Sequence, residues 1–386
     1  MEYILYVLLF VLLIIFRKDI GKNPFSPRNL TILIWSVVMI LYHFQDDLYP
    51  LTDTFFICLF LWLIGFLITN QKPKFDNPVF ALERINKKVL ICYFLIAVIT
   101  VPLYCKAYLN AIGGFSINMF FDLRQSAVNG EVQLGIYSYV PPLCKGILFI
   151  ELFRFSSKTK YSFILALLLN LLCALTIMEK GYLVLIFASC IFFMYQKNII
   201  TKRNIMIYSF LFLFFLVFFN SLRREDFSTR EVGDTSSFIS LYVVSPSVAF
   251  TQLTENSSQN FGINTFRFFY AVGKSLGLTN EVVSQWHEPV FVPVRTNVFT
   301  VMQPYFQDFG YIGVFIFSLI NGFIMSYVYR KYKESGGVIY TCLYVYILHF
   351  LIIQFFQEGF FVSLSSTLQI FILISLVSFE LKALKE

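Results

Sequence analysis

Apolar segments of roughly 16–20 residues recur along this 386-residue chain, and they restrict its fold more than any other feature. Hydrophobic residues make up 58% of the sequence and charged residues 14%, and the mean hydropathy is +0.71. In lipid, each backbone group must be satisfied within its own segment, so segments of this length are expected to be helices. Strands of a membrane barrel would be shorter and would alternate polar with apolar residues. The sequence therefore predicts an all-α, polytopic integral membrane protein.

The apolar segments predict about eleven transmembrane helices. The segments cover residues 2–16, 29–43, 54–69, 89–105, 136–153, 161–178, 181–196, 205–221, 309–328, 338–355 and 360–379. The first is expected to be a retained helix, because Glu2 stands where a signal peptide carries basic residues.

The distribution of Lys and Arg among the connecting segments predicts the orientation. Most of the basic residues fall in alternate loops, at 17–28, 72–88, 154–160, 197–203, 330–333 and 382–385. Short loops rich in Lys and Arg stay on the cytoplasmic side of a membrane. We therefore expect the N-terminus outside and the C-terminus inside, and we read the net charge of +7 as a topology signal rather than as evidence for a nucleic-acid partner.

This topology divides the chain into three parts. They are transmembrane helices 1–8 with short loops (1–221), a large periplasmic loop (222–308), and transmembrane helices 9–11 (309–386). The large loop is not a polar linker, since it contains SSFISLYVVSPSVAFTQL and FGINTFRFFYAVGKSLGL. Both stretches are too short and too interrupted to cross a bilayer, and they predict short interfacial or re-entrant helices.

Arginine dominates the basic residues on the predicted outer side. The large loop carries Arg223, Arg224, Arg230, Arg267 and Arg295, and the earlier outer loop carries Arg124 in FFDLRQ. A guanidinium presents a planar set of donors that suits phosphate. These residues are candidates for binding a pyrophosphate, although RREDFSTRE also allows local ion pairs that would have only a structural role.

The order of elements and one motif resemble a known family. The closing stretch of the loop, TNVFTVMQPYFQDFGYIGVFIFSLINGF, is similar to the corresponding region of the Wzy-type oligosaccharide repeat-unit polymerases of bacterial surface polysaccharides. SPSVAF, FGINTFRFFYAV and FDLRQ add to the resemblance, whereas Lys180 in MEKG departs from the family, which often has Arg near this point.

The resemblance implies a GT-C-like membrane glycosyltransferase of the bacterial inner membrane with its active site facing the periplasm. Such an enzyme joins oligosaccharide repeat units carried on undecaprenyl pyrophosphate into O-antigen or capsule. It implies no cofactor and no metal, and a chain-length regulator protein as a partner beside the lipid bilayer.

This chemistry has three requirements, and each suggests candidate residues. The leaving pyrophosphate needs cations, which the six arginines named above supply. The acceptor hydroxyl can use a base, for which the outer-side candidates are His287, Glu288, Asp226 and Asp308. Asp308 has an alternative role as a helix cap. The glycan needs a polar and aromatic pocket, for which the candidates are Trp286, Asn297, Gln303 and Tyr305.

Two other functions fit part of the same pattern. An O-antigen ligase would use the same lipid-linked donor with a different acceptor. A lipid-linked oligosaccharide flippase would be expected to show charges deep within many helices and two similar halves, whereas this sequence has few such charges and no similar halves. Adjacent Asp46 and Asp47 are the nearest approach to a metal-binding pair, and in a short loop they are more typical of solvated charge.

Overall fold

The computed structural model describes residues 1–45, 48–69, 85–116, 118–222, 240–284, 288–293 and 295–378. The described residues are almost all helical, which confirms the prediction of a helical membrane protein. The helices are α1 (Glu2–Lys22), α2 (Pro27–His43), α3 (Asp53–Ile68), α4 (Lys87–Ala111), α5 (Met119–Asn129), α6 (Val140–Arg154), α7 (Lys160–Thr176), α8 (Lys180–Gln196), α9 (Lys202–Ser221), α10 (Ser245–Phe250), α11 (Arg267–Ser275), α12 (Gln303–Ser335), α13 (Val338–Ile353) and α14 (Leu364–Ser378).

Each apolar segment of the sequence coincides with one of these helices. Among the described residues, four helical stretches are both long and apolar enough to cross a membrane: Lys87–Ala111, Gly135–Arg154, Lys202–Asn220 and Gln303–Ser335. Shorter apolar helices account for further segments. The number of crossings and the orientation remain predictions.

The large loop contains the short helices that its apolar stretches predict. SPSVAF forms α10, which is buried throughout, and RFFYAVGKS forms α11. A two-stranded antiparallel hairpin, β1 (Val290–Phe291) with β2 (Arg295–Thr296), was not predicted; in it Val290 lies opposite Thr296 and Phe291 opposite Arg295. The strands are too short to give a recognisable alternating pattern.

The chain divides into two compact units. The first unit comprises Met1–Pro78, Arg230–Glu334 and Phe350–Ser365; the second comprises Val79–Thr229, Ser335–His349 and Ser366–Glu386. The first unit contains α1–α3, the helices of the large loop and α12, so it holds most of the residues predicted to form the functional site.

Small residues allow α3 and α12 to approach closely in the first unit. A Cβ atom on Gly322 would lie 2.9 Å from the carbonyl oxygen of Phe66, and one on Gly65 would lie 3.1 Å from the carbonyl oxygen of Phe315. Membrane helices without a hydrophobic driving force between them associate through such close backbone contact.

The amide of Gln354 is the polar centre of the same unit. Its Oε1 accepts from the indole N–H groups of Trp35 (3.0 Å) and Trp62 (3.3 Å), and its Nε2 donates to the Leu351 carbonyl at 2.8 Å. The backbone N–H of Val301 donates to the Gln354 carbonyl at 2.8 Å. One buried residue therefore links α2, α3, the end of α13 and the segment that leads into α12.

A break in α12 separates a short outer part from the long apolar part. Gly310 has φ 63° and ψ −152°, in a region where a side chain is strained. A Cβ at this position would also collide with the carboxylate of Glu255. The apolar segment predicted from residue 309 begins at this break, and the helical turns before it belong to the loop.

The second unit packs α4, α6, α7 and α8 around buried aromatic side chains, among them Phe149 and Phe192. Two of its buried ionisable groups have partners. The Glu151 carboxylate accepts from Arg154 at 2.7 Å and from the Ser162 hydroxyl at 2.6 Å. The Lys145 ammonium lies over the Tyr182 ring, 4.4 Å from its centre. Such pairing is expected for ionisable groups withdrawn from water.

Replacing Gly322 by Ala is expected to lower the stability of the protein by about 1 to 3 kcal/mol, because the new methyl group would push α12 away from the backbone of α3. Thermal unfolding in detergent measures the effect. Gly21→Ala is the control, since nothing lies within 4 Å of a Cβ placed there. Equal melting temperatures for the two variants would contradict the close packing.

Replacing Gln354 by Leu is expected to lower the stability of the protein more than Gly322→Ala does. The indole N–H groups of Trp35 and Trp62 would lose their hydrogen-bond acceptor in an apolar interior. An unsatisfied buried donor costs about 1 to 3 kcal/mol. A lower melting temperature in detergent and a change in tryptophan fluorescence would measure this loss of stability. Gln357→Leu is the stability control, because that side chain is exposed.

Candidate functional site

A cleft in the first unit brings together residues from the large loop, the start of α12 and the segment between α13 and α14. It holds about 590 Å³ of open space, part of it continuous with solvent. Its lining residues are Asn264, Arg267, Val283, Ser284, Asn297, Val298, Phe299, Gln303, Pro304, Gln357, Glu358 and Val362. Three of the predicted site residues, Arg267, Asn297 and Gln303, are thus neighbours in one cleft.

Arg267 supplies the positive charge of the cleft. It is the first residue of α11 and is half-buried, and its Nε donates to the Val283 carbonyl at 2.8 Å. Within the described parts of the chain this is its only hydrogen bond, so the two terminal nitrogens keep their donors for a ligand. Burial lowers the pKa of Arg267, but arginine starts so far above neutrality that the group stays cationic.

Asn297 and Gln303 supply amide groups. Asn297 is half-buried and follows β2, while Gln303 is buried at the start of α12 and donates from Nε2 to the side chain of Gln307. Amides offer both donors and acceptors, as a sugar does. Their position in the cleft suits the glycan-binding role that the sequence predicts for them.

Asp308 holds the wall of the cleft in place. Its Oδ1 accepts from the Asn264 side chain at 2.8 Å and its Oδ2 accepts from the Thr265 backbone N–H at 2.7 Å, and the Ser258 hydroxyl also donates to it. Asn264 and Thr265 immediately precede α11. The carboxylate therefore bonds the loop that presents Arg267, rather than the amides at the start of its own helix.

Tyr305 lies behind the cleft. Its ring is fully buried between Trp62 and Phe317, with ring centres 6.0 Å and 4.6 Å away, and its hydroxyl accepts from Asn321 at 3.0 Å. Tyr305 does not line the cleft. Its position supports the site from inside the helix bundle, and direct contact with a glycan remains a prediction.

Glu358 is a functional-site candidate that sequence reasoning missed. It lies in QEG between α13 and α14, is 5% exposed, and lines the cleft. Its Oε1 accepts from the backbone N–H groups of Phe360 (2.9 Å) and Phe361 (3.0 Å), and its Oε2 accepts from that of Val362 (2.8 Å). This turn delays the start of α14 to Leu364, later than the predicted 360.

A signal for Glu358 was present in the sequence. It is an acidic residue within QFFQEGFF, where the surrounding segments are apolar, and ionisable groups in such places are often functional. Glu358 lies in a short loop between two predicted helices, far along the chain from the large loop. The sequence therefore did not indicate that it lies beside the large-loop residues in the cleft.

The remaining predicted site residues lie elsewhere. Glu288 and Arg295 are exposed on and beside the β1–β2 hairpin and do not line the cleft. Arg124 is half-buried on α5 in the second unit, where its charge acts on Tyr108 of α4. The other candidates lie outside the described residues: Arg223, Arg224, Asp226, Arg230, Trp286 and His287.

Metal binding finds no support in the part of the chain that the structure describes. No group of three or more His, Cys, Asp or Glu side chains is placed there to hold a metal ion. Asp46 and Asp47 fall outside the described residues. The polar groups that the structure places in the cleft include a guanidinium, amides and a carboxylate.

Comparison with known proteins gives one similarity that extends over nearly the whole chain. The chain is 24% identical over 388 aligned positions to the protein named "Putative O-antigen polymerase" of Escherichia coli (strain K12), covering 94% of each chain. No protein-family model matches the chain. No solved structure matches it either.

Proposed function

We propose that this protein is a membrane glycosyltransferase that polymerises oligosaccharide repeat units linked to undecaprenyl pyrophosphate into a surface polysaccharide. The units would be joined at the outer leaflet of the inner membrane, on the periplasmic side. The full-length similarity to a protein named as an O-antigen polymerase supports the polymerase activity. The charge pattern of the loops supports the orientation.

The observation that carries the proposal is the position of Arg267 in a cleft with Asn297 and Gln303. Breaking the bond between a sugar and its lipid pyrophosphate places negative charge on the leaving group. A guanidinium that is already partly desolvated and oriented stabilises this charge with little reorganisation. Its planar donors match two phosphate oxygens at once.

The surroundings of Arg267 also suit a substrate with a lipid tail. On the same short helix, Phe269 and Val272 are exposed, and Leu276 follows them with 67% of its surface accessible. An apolar surface of this kind fits a membrane interface. A pyrophosphate at Arg267 would thus lie at the level where a lipid-linked donor presents its headgroup.

Synthetic undecaprenyl-pyrophosphate repeat units, supplied to the purified protein without a nucleotide sugar, test the proposal. We expect a ladder of polymer products. Arg267→Ala is expected to reduce the rate of polymerisation about 100- to 1,000-fold, the usual effect of removing one preorganised donor. Arg267→Lys is expected to recover part of the loss, because it restores the charge without the planar fork.

Arg203→Ala is the matched control, since Arg203 is exposed on α9 in the second unit. Undiminished ladders from Arg267→Ala would contradict the role of the cleft. The same assay separates the alternatives: a ligase would transfer single chains to an added lipid A acceptor, and a flippase would form no product. Adding a chain-length regulator is expected to narrow the distribution of product lengths.

A further inference from the structure

Glu358 is the one carboxylate among the described residues that line the cleft. Of the base candidates chosen from the sequence, Glu288 and Asp308 are described by the structure, and neither lines the cleft; His287 and Asp226 lie outside the described residues. We propose that Glu358 accepts the proton of the acceptor sugar hydroxyl when a new glycosidic bond is formed, an assignment that rests on the polymerase activity proposed above.

The backbone holds the Glu358 carboxylate in a single position. Three consecutive N–H groups bind it, two of them to Oε1 and one to Oε2. A carboxylate has about four acceptor positions, and the Tyr305 hydroxyl takes the fourth. A hydroxyl that enters the cleft can occupy this position, in exchange with the nearby Tyr305 hydroxyl.

The environment of Glu358 also tunes its basicity. Burial raises the pKa of the carboxyl above its ordinary value, while the backbone N–H groups and the Tyr305 hydroxyl act in the opposite direction. A raised pKa makes a carboxylate a better proton acceptor near neutral pH. The backbone hydrogen bonds fix the position of the Glu358 carboxylate, and its burial raises its affinity for a proton.

The opposite charges of the cleft remain separate. Arg267 and Glu358 both line it, yet they form no ion pair with each other. Two separate charges allow two reactants to bind: the pyrophosphate at the guanidinium and the hydroxyl at the carboxylate.

The proposed step balances in atoms and charge. The acceptor oxygen forms a bond to the anomeric carbon of the donor glycan while the bond from that carbon to the pyrophosphate oxygen breaks. The electron pair of the broken bond stays on the pyrophosphate, which Arg267 stabilises. The hydroxyl proton moves to Glu358, and the carboxyl later releases it to water.

The groups that face Glu358 set the expected pH dependence. They are the Tyr305 hydroxyl from α12 and the backbone N–H groups of Phe360, Phe361 and Val362 in its own turn. Arg267 is the charged side chain that lines the same cleft. Glu358 must be deprotonated to act, so the rate should fall as the pH drops through its raised pKa. Wild-type protein is expected to show this acidic limb at a pH above about 4.3, the ordinary pKa of glutamate.

The test measures the rate of joining two lipid-linked units as a function of pH in wild type, Glu358→Gln and Glu358→Asp. Glu358→Gln is expected to reduce the rate about 100- to 10,000-fold and to abolish the acidic limb. Glu358→Asp is expected to keep the limb at a reduced rate. Glu131→Gln, an exposed glutamate on the second unit, is the control and is expected to match wild type.

Binding of the lipid-linked unit and melting temperature are measured on the same samples. A folded Glu358→Gln protein that binds the unit and keeps both the wild-type rate and the acidic limb would overturn the assignment. If Glu358→Gln does not fold, the wild-type profile decides: a rate that stays constant from pH 4.5 to 8 overturns the assignment, and an acidic limb that Glu358→Asp retains supports it. Failure of wild type to form any polymer would refute the proposed function itself.

Discussion

The hydrogen bonds of Gln354 are the interaction on which the first unit depends. In an apolar interior a polar group must find partners, because an unsatisfied donor or acceptor is far less stable there than in water. The Gln354 side chain binds the indole groups of Trp35 and Trp62, and its backbone carbonyl binds Val301. This network places the segment after α13 against α2 and α3, and Glu358 follows only four residues later.

Carboxylates, and not burial alone, hold the large loop between α9 and α12 in place. Asp308 binds the residues that precede α11, and Glu255 lies against Gly310, where α12 breaks. The Asp308 carboxylate gathers donors that a loop without regular structure would otherwise leave unpaired, and Glu255 accepts from the backbone N–H of Tyr311 in α12 at 3.4 Å. Because α12 packs closely against α3, the part of the large loop that is bonded to α12 has a defined position. The cleft is the space left between this loop and the Glu358 turn.

The separate charges of the cleft match the requirements of the proposed group transfer. A guanidinium and a carboxylate that neutralised each other would form a structural ion pair with little remaining capacity for a ligand. Within the described residues the guanidinium keeps its terminal donors, and the carboxylate is bound by backbone N–H groups and the Tyr305 hydroxyl instead. Catalysis by preorganised groups depends on such charges being set before the substrate arrives. This arrangement fits a reaction in which a leaving anion must be stabilised while a hydroxyl loses its proton.

The sequence by itself determined the apolar helices of this protein, whereas α5 was not among the predicted helices. Apolar runs that must satisfy their own backbone can form only helices in lipid, and the interrupted apolar stretches of the large loop predicted α10 and α11 for the same reason. Residue chemistry also selected Arg267, Asn297 and Gln303 as site residues. Tertiary structure alone decided which candidates meet, because a cleft is made by contacts between segments far apart in the chain. It placed Tyr305 behind the site and brought Glu358 into it, since local sequence encodes the helical period but not the neighbours across a helix bundle.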